Sequence, residues 1–196
     1  MYLPLHFNLD DRNAQHDIIA AHPLGLMISN GPEGLVANPI PFVLDHSFGD
    51  IGRLRGHVAR PNPQWQGLSG EVLVVFSSLD HYIKVVPTWN YITVHAYGPV
   101  SVHEEPEWLG RQIRDLTSQH EGNRTQSWAV DDAPAPFIAA QMRGIVGIEI
   151  VLTRIEGKAK LSQNRNEADQ AGVKAGLAQE PNAAAQAMAA LIGVKK

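Results

Sequence analysis

The run Val86-Pro-Thr-Trp-Asn-Tyr-Ile-Thr-Val-His-Ala-Tyr-Gly98 constrains this chain more than any other segment. Aromatic and β-branched residues dominate it, so it reads as a strand, and a strand sends successive side chains to opposite faces. One face then carries Trp89, Tyr91, Thr93, His95 and Tyr97, and the other carries Thr88, Asn90, Ile92, Val94 and Ala96. The first face stacks rings with hydrogen-bonding tips, while the second changes from polar to aliphatic along its length. Such a strand can wall a flat, heteroatom-rich ligand, or it can be an ordinary sheet strand that packs rings. Taken alone, it leaves both readings open.

The flanking segments set the fold class. Asp10 and Asp11 precede Asn13 to His22, which reads as a helix capped by an aspartate and stopped by Pro23. Leu24 to Ser29 and Leu35 to Asn38 read as strands around a turn at Asn30-Gly31-Pro32. Pro41 to Leu44, Arg53 to Ala59 and Glu71 to Ser77 continue the series. Many short strands at this spacing point to a closed or partly closed antiparallel barrel.

After Pro106 the apolar period lengthens. Trp108, Ile113 and Leu116 share one side of a helix running to about His120, with Glu104 and Glu105 in the turn before it. A second helix follows Pro134-Ala135-Pro136 and ends at Gly144, with Asp131-Asp132 as its expected cap. Ile145 to Ile155 reads as a final central strand, and the composition is helical from Asn166, with a second alanine-rich helix from Asn182 to Ile192. The chain therefore reads as an α+β domain over residues 1–177, with a helical C-terminal extension over 178–196.

Composition removes several function classes. Lys and Arg number 16 against 20 Asp and Glu, so the net charge of −4 offers no basic footprint for nucleic acid. The absence of cysteine excludes disulfides, thiolate metal sites and cysteine nucleophiles. The histidines are scattered, none at metal-ligand spacing with carboxylates, and no metal is expected. The chain lacks the Gly-x-Ser-x-Gly elbow of serine hydrolases and the Gly-x-Gly-x-x-Gly of Rossmann dinucleotide sites. No stretch approaches the ~20 apolar residues of a membrane span. The segment Met1-Tyr-Leu-Pro-Leu-His-Phe7 lacks a signal-peptide layout, so a cytoplasmic location is expected.

Two further blocks concentrate binding chemistry. In Arg53-Leu-Arg-Gly-His-Val-Ala-Arg-Pro-Asn-Pro-Gln-Trp65 a strand runs into a proline-punctuated turn, and Arg60 stands at the strand end near Asn62. A guanidinium beside a helix start can hold a phosphate. Equally, Asn62 can simply cap a short helix while Arg60 is a solvated charge, and His57 can be a hydrogen-bonded core residue. The block Glu156-Gly-Lys-Ala-Lys-Leu-Ser-Gln-Asn-Arg165 gathers Lys158, Lys160, Ser162, Gln163, Asn164 and Arg165. It can clamp an anion or an amide-like edge, or be a solvated loop leading to a helix.

Together these blocks resemble the PaiB-like family of FMN-binding negative transcriptional regulators. The resemblance rests on Tyr2-x-Pro4-x-His6-Phe7, Gly56-His-Val-Ala-Arg-x-Asn62-Pro-x-Trp65 and Val86-Pro-Thr-Trp-Asn-Tyr91 with His95-Ala-Tyr-Gly98. It continues through His120-Glu121, Ile145-Val-Gly147 and Glu156-Gly-Lys-x-Lys-Leu-Ser-Gln-Asn-Arg165, to about Leu177. Two departures stand out. A Ser-Pro-Ser-Trp-Tyr loop that the family carries between Ile83 and Lys84 is absent, and two strand-like pieces meet there without a turn. The expectation is that the natural loop is omitted from this sequence rather than deleted. Ala159 also replaces the family's usual tryptophan.

The resemblance implies an antiparallel split β-barrel of the FMN-binding type with flanking helices, related to pyridoxamine-phosphate oxidases and flavin reductases. It implies a homodimer with FMN at the subunit interface. Carried over by position, His57, Arg60 and Asn62 belong to the phosphate block, and Thr88, Trp89 and Asn90 line the flavin ring. Lys160, Ser162, Gln163 and Asn164 contact the ring or a substrate. No catalytic residue is assigned. The function implied is transcriptional regulation, with a DNA partner that the charge does not support. The alternative is a flavin-dependent oxidoreductase acting on a small molecule with a nicotinamide donor.

Overall fold

The computed structural model of the protein describes residues 1–84 and 87–194. Its strands are β1 (Asn8–Leu9), β2 (Leu24–Gly31), β3 (Gly34–Pro41), β4 (Val43–Asp45), β5 (Arg53–Ala59), β6 (Glu71–Ile83), β7 (Thr88–His103), β8 (Ile145–Val151) and β9 (Arg154–Lys160). The α-helices are α1 (Arg12–Ala21), α2 (Pro106–Glu121), α3 (Ala135–Arg143), α4 (Glu167–Ala178) and α5 (Ala183–Leu191). The sheet order is β3-β2-β6-β7-β8-β5-β4, and β9 pairs with both β1 and β7. Every pairing whose register is known is antiparallel. No helix among the described residues is long and apolar enough to cross a membrane.

The chain divides into two compact units. One comprises Ile19–Phe76 and Ala96–Ile155. Within it, β2 and β3 form a hairpin closed by Gly31 opposite Gly34. Gly34 has a φ of +115°, a conformation that residues with a Cβ rarely adopt. The turn therefore falls at Pro32-Glu33, and both strands run longer than the sequence pattern indicates. Strand β5 lies along all of β8, from Arg53 opposite Val151 to Ala59 opposite Ile145. Leu54, Phe42, Phe76, Ile148 and Ile150 are fully buried, and the Phe42 and Phe76 rings meet edge to face at 6.1 Å.

Helix α2 lies against β8 through a close approach that only glycine permits. A Cβ on Gly147 would lie 2.3 Å from the Trp108 ring. His103 stacks on that same indole at 4.4 Å. This accounts for the glycine of Ile145-Val-Gly147. The buried face of α2 centres on Leu109 and Gln112, with Trp108, Ile113 and Leu116 half-buried beside it.

The other unit comprises Met1–Ile18, Ser77–His95 and Glu156–Lys196. Its core joins Leu9, Ile83, Ile92, Ala159 and Leu161 to Val173 and Leu177 of α4 and to Ala185, Met188 and Ala189 of α5. Both helices start on an asparagine cap: Asn166 Oδ1 accepts from Asp169 N at 2.8 Å, and Asn182 Oδ1 accepts from Ala184 N at 2.9 Å. Asp11 does the same for α1, accepting from Asn13 N at 2.8 Å.

Three local expectations are corrected. Ile145 to Ile155 is not one strand. The Leu152 and Thr153 amides leave the ladder to bond Gly52 O and Tyr97 O, so β8 ends and β9 begins after them. Asp131 and Asp132 do not cap α3. Asp131 pairs with Arg114 at 2.7 Å, and Asp132 accepts from the Ala129 amide at the preceding 3₁₀ turn. Finally, β6 and β7 are paired neighbours in the sheet and do not run into each other along the chain without a turn. Lys84 and Pro87 are turn residues and β7 starts at Thr88, since Pro87 has no N–H for a ladder. Val86, where the strand was expected to begin, lies outside the described residues.

Two glycines test this packing in opposite directions. A Cβ on Gly98 would lie 2.0 Å from the Val151 carbonyl oxygen, whereas one on Gly176, in α4, would touch nothing within 4 Å. Gly98→Ala is expected to lower the unfolding free energy by about 2–3 kcal/mol. Gly176→Ala is expected to raise it by about 0.5–1 kcal/mol. Denaturant titration reads both.

Candidate functional site

The pleat of β7 separates site from core. Asn90, Ile92 and Val94 are buried, while Trp89 is 53% exposed and Tyr91, Thr93 and His95 are half-buried. The Trp89 indole is propped edge-on by Tyr82 of β6, with centroids 6.0 Å apart. Beside it lies a cavity of about 360 Å³, lined by Ser77, Ser78, Asp80, Trp89, Tyr91 and Thr93. An indole, a phenol, the aliphatic hydroxyls of two serines and a threonine, and a carboxylate thus line one cavity, with Ile92 at its base.

Strand β9 brings one cation, Lys158, to the same outward side and a second, Lys160, to the start of β7. Lys158 Nζ lies 5.3 Å from the Tyr91 ring centre and 5.5 Å from that of Tyr2, and donates to Tyr2 O at 3.0 Å. Only 9% of Lys158 is exposed, so two rings and a carbonyl replace most of its water. Lys160, two residues on, donates to Thr88 Oγ1.

On the inward side, Asn90 and Ser162 exchange hydrogen bonds at 3.0 and 3.3 Å, both buried. Ser162 has a φ of +65°, the one positive value outside glycine among the described residues. Gln163 fixes that turn, accepting from Leu161 N at 2.6 Å and donating to Ala159 O at 2.5 Å. A left-handed serine costs on the order of 1 kcal/mol or more, which these bonds offset. Asn164 stands exposed in the same turn.

His57, Arg60 and Asn62 belong to the other unit, each in its own network. His57 is half-buried, with Nδ1 3.3 Å from Gln112 Oε1. Burial pushes its pKa below the ordinary 6.5, partly opposed by that hydrogen bond. Arg60 donates from Nε to Arg143 O at 2.9 Å, from Nη1 to Glu104 Oε2 at 2.5 Å and from Nη2 to Ile145 O at 3.2 Å. Asn62 Oδ1 accepts from Gln64 N at 3.0 Å and caps a 3₁₀ turn, Pro63–Gly67.

Of the expected site residues, the structure therefore groups Thr88 with Lys160 and Asn90 with Ser162 and sets Trp89 on the opposite face from Asn90. The site positions carried over by resemblance left out Tyr91, Lys158 and the Ser77–Asp80 wall. The alternation of β7 and β9 carried the signal for the first two.

The donor set fits flavin mononucleotide: an exposed indole suits the flat ring, hydroxyls suit the ribityl chain, and an ammonium suits the phosphate. The sequence profile of the family described as "Putative FMN-binding domain" matches residues 1–154. The Bacillus subtilis protein named Protease synthase and sporulation protein PAI 2 is 30% identical, over 98% of this chain and 96% of its own length. The chain belongs to the PaiB-like FMN-binding family. FMN is the cofactor of this PaiB-like chain.

Solved structures show the fold of the PaiB-like chain to be the α+β split barrel. A conserved hypothetical protein of Mycobacterium tuberculosis superposes with a TM-score of 0.62 at 15% identity, covering 85% of this chain and 95% of that one. The FAD and heme binding protein of Mycobacterium smegmatis gives 0.58 at 18% identity, covering 78% and 73%.

The lowered pKa of His57 makes a signed prediction for this family member. Below 6.5 the unfolded chain takes up a proton that folded His57 resists, so stability is full above that value and falls as pH drops toward the folded pKa. His57→Gln removes this component. The stability lost between about pH 7.5 and about pH 5.5 should therefore be smaller in the variant, read by urea unfolding. An equal loss would show that His57 does not titrate differently on folding.

Proposed function

We propose that this chain is a cytoplasmic, flavin-dependent regulator of transcription of the PaiB type, acting as a homodimer with FMN at the seam between copies. The observation that carries the reading is the outward face of β7 and β9. There an exposed indole and a half-buried phenol stand beside lysines, on a chain of an FMN-binding family. Trp89 and Tyr91 wall the flavin ring, and Lys160 exchanges its Thr88 contact for the phosphate. Bound FMN supplies hydride and single-electron chemistry, which the protein need only position. The Bacillus subtilis relative is named for protease synthase and sporulation and not for a substrate, which is compatible with a regulatory role. The net charge of −4 favours a route through a protein partner over direct DNA contact.

Titration of the apoprotein with FMN, followed by flavin absorbance and tryptophan fluorescence, tests the site. Trp89→Ala should weaken binding about 10-fold, the stacking share of an aromatic contact. Lys160→Ala should weaken it about 10- to 100-fold, the cost of a charge-assisted phosphate bond. Arg60→Ala separates the two cations. Unchanged affinity leaves Lys160 as the phosphate partner, whereas a loss in Arg60→Ala alone would place the phosphate at Arg60 and overturn this assignment. For the activity, nicotinamide oxidation by the FMN-loaded protein would favour the oxidoreductase. Flavin-dependent capture of a regulatory partner or of promoter DNA, with oxidation absent, is the result expected.

A further inference from the structure

A second cavity, of about 620 Å³, lies within the unit that carries β7's outward face, and its volume is in the range of small-molecule sites. All of its lining except His6 and Asn8 comes from beyond residue 154, where the family profile stops. It shares no lining residue with the cavity beside Trp89.

Its floor is apolar. Ala159 reaches it from β9, Leu161 from the residue after that strand, and Leu191 and Ile192 from the end of α5. One wall is a single face of α4, which presents Glu167, Gln170, Ala171 and Lys174 at i, i+3, i+4 and i+7. The adjoining face of α4 sends Val173 and Leu177 into the core. The cavity face therefore carries a carboxylate at one end and an ammonium at the other. Seven residues of helix separate them by about 10 Å, too far for the two to pair with each other. Neither has an ion-pair partner among the described residues. Gln170 donates to Arg165 O at 2.8 Å, which leaves its carbonyl oxygen free between the two charges. Gln163 is spent on backbone and only shapes the rim.

A simple anion would meet Glu167, a simple cation would meet Lys174, and a neutral apolar molecule would leave both charges unused. We propose that this cavity binds a small zwitterion with an apolar middle, of the length of an extended tripeptide. Three extended residues span about 10 Å, matching the separation of the charges. The ammonium end faces Glu167, the carboxylate faces Lys174, and the apolar body rests on Ala159, Leu161, Leu191 and Ile192. Because both charges are solvent-exposed, each contact contributes only a few-fold in affinity.

The test uses the full chain and calorimetric or NMR titration with the tripeptide Ala-Leu-Ala, free at both ends, against its N-acetylated and C-amidated forms. The free peptide should bind about 3- to 10-fold more tightly than either singly capped form. Lys174→Gln should lower the affinity of the free peptide to that of the C-amide while leaving the C-amide unchanged. Glu167→Gln should do the same for the N-acetyl form. Ala159→Trp should fill the floor and abolish binding of all three. Should Ala159→Trp fail to fold, the two variants on the exposed face of α4 still decide the matter. Equal binding of free and capped peptides, an equal loss for all forms in Lys174→Gln, or no saturable binding at millimolar peptide would overturn the proposal.

Discussion

Two consecutive side chains of a strand cannot face the same side, and in β7 this constraint decides what becomes core and what becomes site. Asn90, Ile92, Val94 and Ala96 are committed inward, so Trp89, Tyr91 and Thr93 must face out. A single-residue slip would bury the indole and expose the aliphatic row. Two contacts hold the register against such a slip. The inward amide of Asn90 is satisfied by Ser162, and the absent Cβ of Gly98 lets the Val151 carbonyl approach. Removing the serine would strand a buried amide, whose desolvation costs about 1–3 kcal/mol.

Strand β9 obeys the same rule and serves two places at once. Lys158 accompanies the aromatic face and Lys160 reaches Thr88 at the start of β7, whereas Ala159, with Leu161 just past the strand, joins the core and forms the floor of the cavity beside α4. Burying the Lys158 ammonium is unfavourable in itself and is offset by the Tyr2 carbonyl and two ring faces. Seven residues, Glu156 to Ser162, thus supply cations on one side and an apolar floor on the other.

Much of this was legible in the chain because its signals are local. The limits of β5 follow from the alternation of Leu54, Gly56 and Val58 with Arg53, Arg55 and His57, and Asp11, Asn166 and Asn182 announce their helices as caps. The two faces of β7 follow from alternation alone. What stayed hidden depends on distant backbone groups. Gln64 is buried because its amide donates to Met27 O and Ser29 Oγ while Asn38 donates to its carbonyl oxygen, and Gln112 because it bridges His57 and Arg55 O. The break after Val151 depends likewise on carbonyls of Gly52 and Tyr97, and no local pattern marks it. In the sequence Arg60 reads either as a phosphate ligand or as a solvated strand-end charge, and its pairing with Glu104 and the carbonyls of Arg143 and Ile145 is in neither reading.

The central claim is that flavin lies on the outward face of β7 and β9. Backbone amide exchange of the whole chain, with and without saturating FMN, tests it most directly. Protection should concentrate on Thr88 to Thr93 and Glu156 to Ser162, with Arg60 to Trp65 unchanged. Protection at Arg60 to Trp65, with none along β7, would contradict it.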